Sequence, residues 1–430
     1  MSDFDLLVRG EQDIGISDGK IVSLGKNISG AAKAEIDAHG LTIFAGVIDS
    51  HVHFNEPGRT EWEGFTTGSR AAAAGGTTTI FDMPLNAHPP TINGAAFDAK
   101  RAAAEKHSLV DFGLWGGLVP GNVDQLETLR DRGVVGIKAF LCESGIDDFP
   151  AVDLATLRAG MKRAAELNLL VAVHAESNEL LQNPPSSGTV RDYLNSRPIQ
   201  VELAAIKTAI ELAHEVGCRL HIVHVSCGRG VALVKYARSH GADVTCETCP
   251  HYLLLTDEDM VELGGVAKCA PPLRSASEQA DLWRQLDDIT SIGSDHSPAP
   301  WSMKEAPNFF EVWGGISGCQ HLLPLLIAAK ISRGEIERLT SAGVAKRFRI
   351  RGKGGIEISH DADLTLVDLR AEELIRSESL HYRHKHSPYA GRPLHSRIVR
   401  TILRGQTIFE NGRFFSPPNG RLVRPDNSLM

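Results

Sequence analysis

The sequence predicts an α/β protein: a (β/α)8 TIM barrel with a smaller β-sandwich domain formed from both chain ends. Three observations carry this expectation. Short apolar runs alternate with Ala/Leu/Glu-rich stretches through the middle of the chain, eight such runs can be found there, and strand-and-turn texture fills both termini. The β-domain is expected over 1–45 and 351–430, and the barrel over 46–350.

The amino-terminal strands are Asp5 to Gly10, Ile14 to Ser17 and Lys20 to Leu24, with Asp18-Gly19 as a hairpin turn between the last two. Ala362 to Asp368, Ile398 to Leu403, and Thr407 to Phe409 turning at Asn411-Gly412 into Arg413 to Phe415 repeat that texture at the other end. Between them lie the eight apolar runs: Phe44 to Phe54, Thr79 to Met83, Gly113 to Leu118, Val134 to Phe140, Leu169 to His174, Leu220 to Val225, Ala242 to Cys246 and Thr290 to Asp295. Helical intervals such as Leu154 to Asn168 and Val201 to Val216 separate them, which implies parallel strands. No GxGxxG or GxxxxGK[ST] opens a helix, so nucleotide binding is not indicated.

At 430 residues the chain exceeds an ordinary single domain, and a barrel of about 250 residues plus a smaller domain accounts for it. A net charge of −8 without a Lys/Arg-rich run gives no support for nucleic acid or a membrane surface as partner. No apolar stretch approaches the ~18 residues of a membrane span, and Met1 to Asp5 lacks the basic start of a secretory signal. Seven thinly spread cysteines do not make a disulfide framework, so the expected compartment is the cytoplasm. Cys246-Glu247-Thr248-Cys249 has CxxC spacing but no second pair, and reads as structural thiols.

A barrel carries its chemistry at the carboxyl ends of its strands, and five runs end in or contain a group able to bind a metal. His51-Val52-His53 puts two imidazoles on one strand face, although the pair alone also fits cross-strand or solvated histidines. Lys138 sits among apolar neighbours, where its stem either snorkels to a strand end or its neutral amine reacts with carbon dioxide to a metal-bridging carbamate. His174 closes its run. His221 and His224 differ by three and should face opposite sides, so His224, nearer the carboxyl end, is the candidate and His221 should pack outward or toward a helix. Asp295 ends the last run, either as a turn residue or as a ligand that also accepts a proton. Four imidazoles, a bridging anion and a carboxylate suit two divalent zinc-like ions, with manganese, cobalt or iron also compatible. Such ions acidify a water and polarise a carbonyl, which is machinery for hydrolysis.

With these residues in place, the whole chain resembles the cyclic amidohydrolases: dihydropyrimidinases, dihydroorotases and allantoinases. The resemblance runs from the amino-terminal strands through Gly46-Val47-Ile48-Asp49-Ser50-His51-Val52-His53 to the terminal β-segment. It implies that His51 and His53 bind the more buried metal, that Lys138 is an N6-carboxylysine bridging two ions, that His174 and His224 bind the second, and that Asp295 is both ligand and catalytic base. Within the family, four stretches look most like the allantoinases: His53 to Arg59, Asp82 to Asn86, Trp115 to Asn122, and Pro271 to Arg274. Dihydroorotases carry an arginine where this chain has Asn55, which suits a neutral substrate; dihydropyrimidinases carry a tyrosine where it has Glu143.

The implied reaction is opening of the allantoin ring to allantoate by a two-metal-activated hydroxide. The runner-up is a D-hydantoinase or dihydropyrimidinase reaction, and the alternative outside enzymes is a scaffold relative that has lost its ligands. Asn55, Ser297 and Ala270 are the candidate contacts to a small ureide substrate, and the family suggests a homotetramer. His251 and His296 are candidate partners of the ligands, the tract His381, His384 and His386 a polar surface or subunit contact, and the stretch at 184–188 a loop over the barrel mouth, a candidate lid.

Overall fold

The structure is a computed structural model that describes residues 2–183, 185, 187–415 and 417–426. The expected lid includes Pro184 and Ser186, which lie outside the described residues, as does Met1.

The terminal segments build two sheets. Lys20–Gly25, Asp13–Ser17, Phe4–Arg9 and Ala32–Asp37 lie side by side in that order. In the second sheet Thr42–Ala45 pairs antiparallel with Leu364–Asp368, which is followed by Arg397–Leu403, Gln406–Glu410 and Arg413–Phe414. Residues from both ends of the chain therefore share one sheet. Leu6, Val8, Ile14 and Ile21 bury against Leu364, Leu366 and Ile402. The two hairpin turns form where the sequence put them. Asp18 and Gly19 take φ of 51° and 75°, and Asn411 and Gly412 take 45° and 80°, the left-handed pair that a tight hairpin needs.

The middle of the chain is a circuit of parallel strands. Val47–Val52, Thr77–Asp82 and Asp111–Leu114 form one ladder, and Gly116–Gly117, Ile137–Phe140, Leu170–His174, Arg219–Ile222, Val244–Thr248 and Ser291–Ile292 form another. The Trp115 amide joins them by donating to the Asp82 carbonyl at 3.0 Å. At the far end Val52 bridges His296 in parallel, and the His53 amide donates to the His296 carbonyl at 2.7 Å, so the circuit returns to its first strand.

Helices separate the strands and cover them. In Leu154–Glu166, Leu157, Gly160, Met161 and Ala164 are buried, the three-to-four spacing of one helix face, and the Asp153 side chain caps its first turn. The parallel strands are buried along their whole length except at Arg219 and Thr245, which are half-buried, as expected of parallel strands covered on both sides. Phe81, Trp115, Val135, Leu170 and Phe348 fill the space they enclose, with the Trp115 and Phe348 rings edge to face at 5.3 Å. No helix among the described residues is long and apolar enough to cross a membrane.

Candidate metal centre

The six sequence-predicted ligands converge on one cavity at the carboxyl ends of these strands. Its lining includes His51, His53, Lys138, His174, His224 and Asp295. Hydrogen bonding fixes which ring nitrogens are left over. The Glu247 carboxyl is pushed up by burial, but the charges of His51 and His221 and the hydrogen bond from His51 outweigh this and bring it down to about 2. It is therefore an acceptor only, and His51 Nδ1 donates to it at 2.8 Å. His53 Nδ1 donates to the Leu85 carbonyl at 3.0 Å, and His174 Nε2 to Glu176 at 2.8 Å. Burial pushes the Glu176 carboxyl up, but the charge of Arg197, the hydrogen bond from and charge of His174, and the charge of Arg274 together bring it down to about 2.

Neutral imidazoles held in this way turn lone pairs into the cavity. Burial lowers the pKa of His53, His174 and, furthest, His224. His51 Nε2 and His53 Nε2 lie 3.2 and 3.4 Å from the same oxygen, Asp295 Oδ1. That carboxyl is held well below its usual range by these histidines and His224, against the effect of burial. His174 Nδ1 faces His224 Nε2 at 3.1 Å. The His51 and His53 nitrogens turned on the Asp295 oxygen are acceptors facing an acceptor, which a cation between them satisfies, so the donor set fits metal ions. Lys138 stands beside them with no hydrogen-bond partner for Nζ, and burial lowers its amine to about 7. An unpartnered amine of that basicity is half neutral near pH 7, the form that adds to carbon dioxide.

The local backbone explains how such groups meet. His224 and Asp295 lie just past their strands with φ of 39° and 45°, left-handed values that are strained for side-chain-bearing residues and concentrate at functional sites. Gly293, between the last strand and Asp295, has no room for a Cβ: one would stand 2.9 Å from both His51 Cβ and Glu247 Oε2. Asp49 fastens the first strand to the last by accepting from the Ser294 amide at 2.9 Å.

The turn at His224 also corrects the expectation for His221. The strand ends at Ile222, so the two-residue alternation does not reach His224 and the two histidines are not opposed. His221 is fully buried inside the circuit, with Nδ1 2.8 Å from the Thr245 hydroxyl and its ring 5.7 Å from Phe348.

Of the candidate substrate contacts, Ser297 and Ala270 line the cavity. Asn55 is buried outside the lining, with Nδ2 3.4 Å from the Pro298 carbonyl and φ of 64°. Asn86, Ser144 and Trp313 line the cavity and were not singled out from the sequence, because the loops carrying them have no periodic signal. Glu143 lines it as well. Glu247 and Glu176 were also missed, although a carboxylate inside the apolar run ending Cys246-Glu247-Thr248 was a usable signal. Cys246 and Cys249 flank it as buried free thiols.

His296 accepts from the Gly318 amide through Nδ1 at 3.1 Å, and both ring nitrogens of buried His251 lack a hydrogen-bond partner. The His381 to His386 tract packs within the chain: His384 meets the Glu61 carbonyl at 2.8 Å and His386 the Ala299 carbonyl at 2.9 Å.

The amidohydrolase family profile matches residues 42–408. The chain is 55% identical to an allantoinase of Rubrobacter xylanophilus, over 99% of this chain and 98% of that one, and 50% identical to an allantoinase of Solibacter usitatus, over 96% and 93%. Among solved structures it superimposes with a TM-score of 0.95 on an L-hydantoinase (dihydropyrimidinase) from Arthrobacter aurescens, at 32% identity over 98% of this chain and 100% of that one. A dihydropyrimidinase from Brevibacillus agri gives 0.89 at 28% identity, over 99% of each.

Proposed function

Because this chain belongs to the amidohydrolase family, we propose that it hydrolyses the ring amide of allantoin to allantoate. We read the strand circuit as a TIM barrel of residues 46–350, and the two terminal sheets as a β-sandwich of 1–45 and 351–430. His51 and His53 would hold one divalent ion, His174 and His224 a second, with Asp295 on the first and Lys138, as an N6-carboxylysine, between the two. Zinc is the metal best matched by this donor set. When bound, two such ions lower the pKa of water and polarise an amide carbonyl.

The protein's own groups do the rest. Asp295 accepts the proton of the attacking water and delivers it to the ring nitrogen as the C–N bond breaks, so the nitrogen leaves as a neutral ureido NH2 rather than as an anion. Glu247, Glu176 and the Leu85 carbonyl fix the ring orientation and tautomer of three ligating histidines. Ser297, whose hydroxyl accepts from Asn86 Nδ2 at 3.4 Å, and the backbone at Ala270 would grip the ureide.

The observation that carries the substrate class is the lining itself. Among the described residues Lys138 is its one basic side chain other than histidine, so no ammonium or guanidinium remains to hold a substrate carboxylate, which suits a neutral ring. The close fold match to a hydantoinase keeps a hydantoin or dihydropyrimidine ring as the second reading. A homotetramer in the cytoplasm completes the proposal. Turnover of allantoin, hydantoin and dihydrouracil by the metal-loaded enzyme separates the readings: allantoin should be preferred, and hydrolysis of dihydrouracil alone would overturn the first.

A further inference from the structure

At the opposite ends of the strands lies a second cavity, of about 270 Å3, whose polar lining is Arg130, Asp131, Asn168, Arg219, Arg349 and Arg424. It is built around the segments that enter the barrel: Val134 and Val135 precede the strand Ile137–Phe140, Leu170 opens Leu170–His174, and Arg219 opens Arg219–Ile222. It shares no residue with the metal centre.

Its charges do not balance. Arg130 is paired with Asp131 at 2.7 Å and with Glu127 at 3.3 Å. Arg219 is 3.5 Å from Asp243, a carboxylate that Arg347 also grips, and otherwise spends Nη2 on the Arg347 carbonyl at 2.8 Å. Among the described residues neither Arg349 nor Arg424 is ion-paired to a carboxylate, and buried Arg349 Nη1 has no hydrogen-bond acceptor. Burial, with the neighbouring charges of Arg347 and Arg349, pulls the Arg219 guanidinium down to about 10. Like charges crowded round a partly enclosed space, with unspent planar donors, match the geometry by which guanidinium forks hold doubly charged oxyanions.

We propose that this cavity is a binding site for a small dianionic oxyanion, a phosphate or phosphoryl group or a dicarboxylate, held by Arg219, Arg349 and Arg424. Calorimetric titration of the metal-loaded enzyme with sodium phosphate and, separately, sodium malonate, each against sodium chloride at matched ionic strength, tests it and tells the two sources apart. Saturable binding of one anion is expected, weakened tenfold or more in Arg349→Ala/Arg424→Ala, with allantoin turnover unchanged. Arg424→Ala alone removes a side chain without an ion pair among the described residues, and should weaken binding in the same direction should the double variant fail to fold. Binding that persists unchanged in Arg424→Ala and in the double variant would assign the anion to the metal centre and overturn the proposal. Absence of saturable binding by both anions would overturn it too.

Discussion

Two buried lysines, one at the carboxyl ends of the parallel strands and one at the joint with the terminal sheets, face opposite environments. Lys353 meets Asp111, Asp361 and Asp363 at 2.8, 3.0 and 2.6 Å, and these carboxylates outweigh burial and raise its pKa. It joins the amino end of the parallel strand Asp111–Leu114 to residues leading into the terminal sheet, and Arg404 adds a second grip on Asp111. Lys138 is buried still more completely, 4.9 Å from the Phe140 ring but with no hydrogen-bond or ion-pair partner among the described residues, and its amine is drawn down to about 7. The first lysine is neutralised by what surrounds it and serves structure. The second is left wanting a chemical partner, which in the proposed reading is carbon dioxide and then metal. Burial alone therefore does not identify a functional lysine; the missing partner does.

The sharpest way to break this contrast is to truncate each. Lys138→Ala should cost on the order of a thousandfold or more in allantoin turnover, the scale for a group acting as part of a unit, while the fold survives. Short-chain carboxylic acids should restore part of the rate, and full activity without them would sink the bridging carbamate. Lys353→Met leaves three carboxylates facing one another in the joint, and should destabilise by about 3–5 kcal/mol in denaturant unfolding with turnover per folded molecule retained.

Glu247→Gln probes the shell around the mouth. It should weaken metal binding by roughly 10–100-fold in a chelator competition, and its effect should be recovered at high metal concentration. The smallest expected effect is on pH. Only a neutral Lys138 amine takes up carbon dioxide, so reconstitution of stripped enzyme at fixed dissolved carbon dioxide should speed up by about tenfold from about pH 6 to about pH 8. The sign of the linked stability agrees: a folded pKa near 7 lies below the unfolded value, so the unfolded chain binds more protons between them and the metal-free protein gains stability as pH rises through that window.

Much of the contrast was legible in the sequence, because periodicity and strand-end position are local properties. The run Val134 to Phe140 contains the strand that carries Lys138, and the positive-φ pairs Asp18-Gly19 and Asn411-Gly412 turn where they were expected. The six groups from five strand ends do share one cavity. What failed was whatever depended on a change of backbone direction or on a distant partner. The His221 expectation assumed an unbroken strand, and the left-handed turn at His224 removed that premise. Glu247 lies 196 residues from the His51 ring it orients, and no local pattern announces such a pairing. Asn55 is next but one to a ligand in sequence, yet its own left-handed φ accompanies a side chain placed outside the lining.

The central claim is that an unpartnered Lys138 completes a site for two metal ions, and counting metal ions in the wild-type protein and in Lys138→Ala tests it most directly. The account predicts two ions per chain in the first and well under one in the second. Two ions retained by Lys138→Ala, or wild-type protein that turns over allantoin with none, would contradict it.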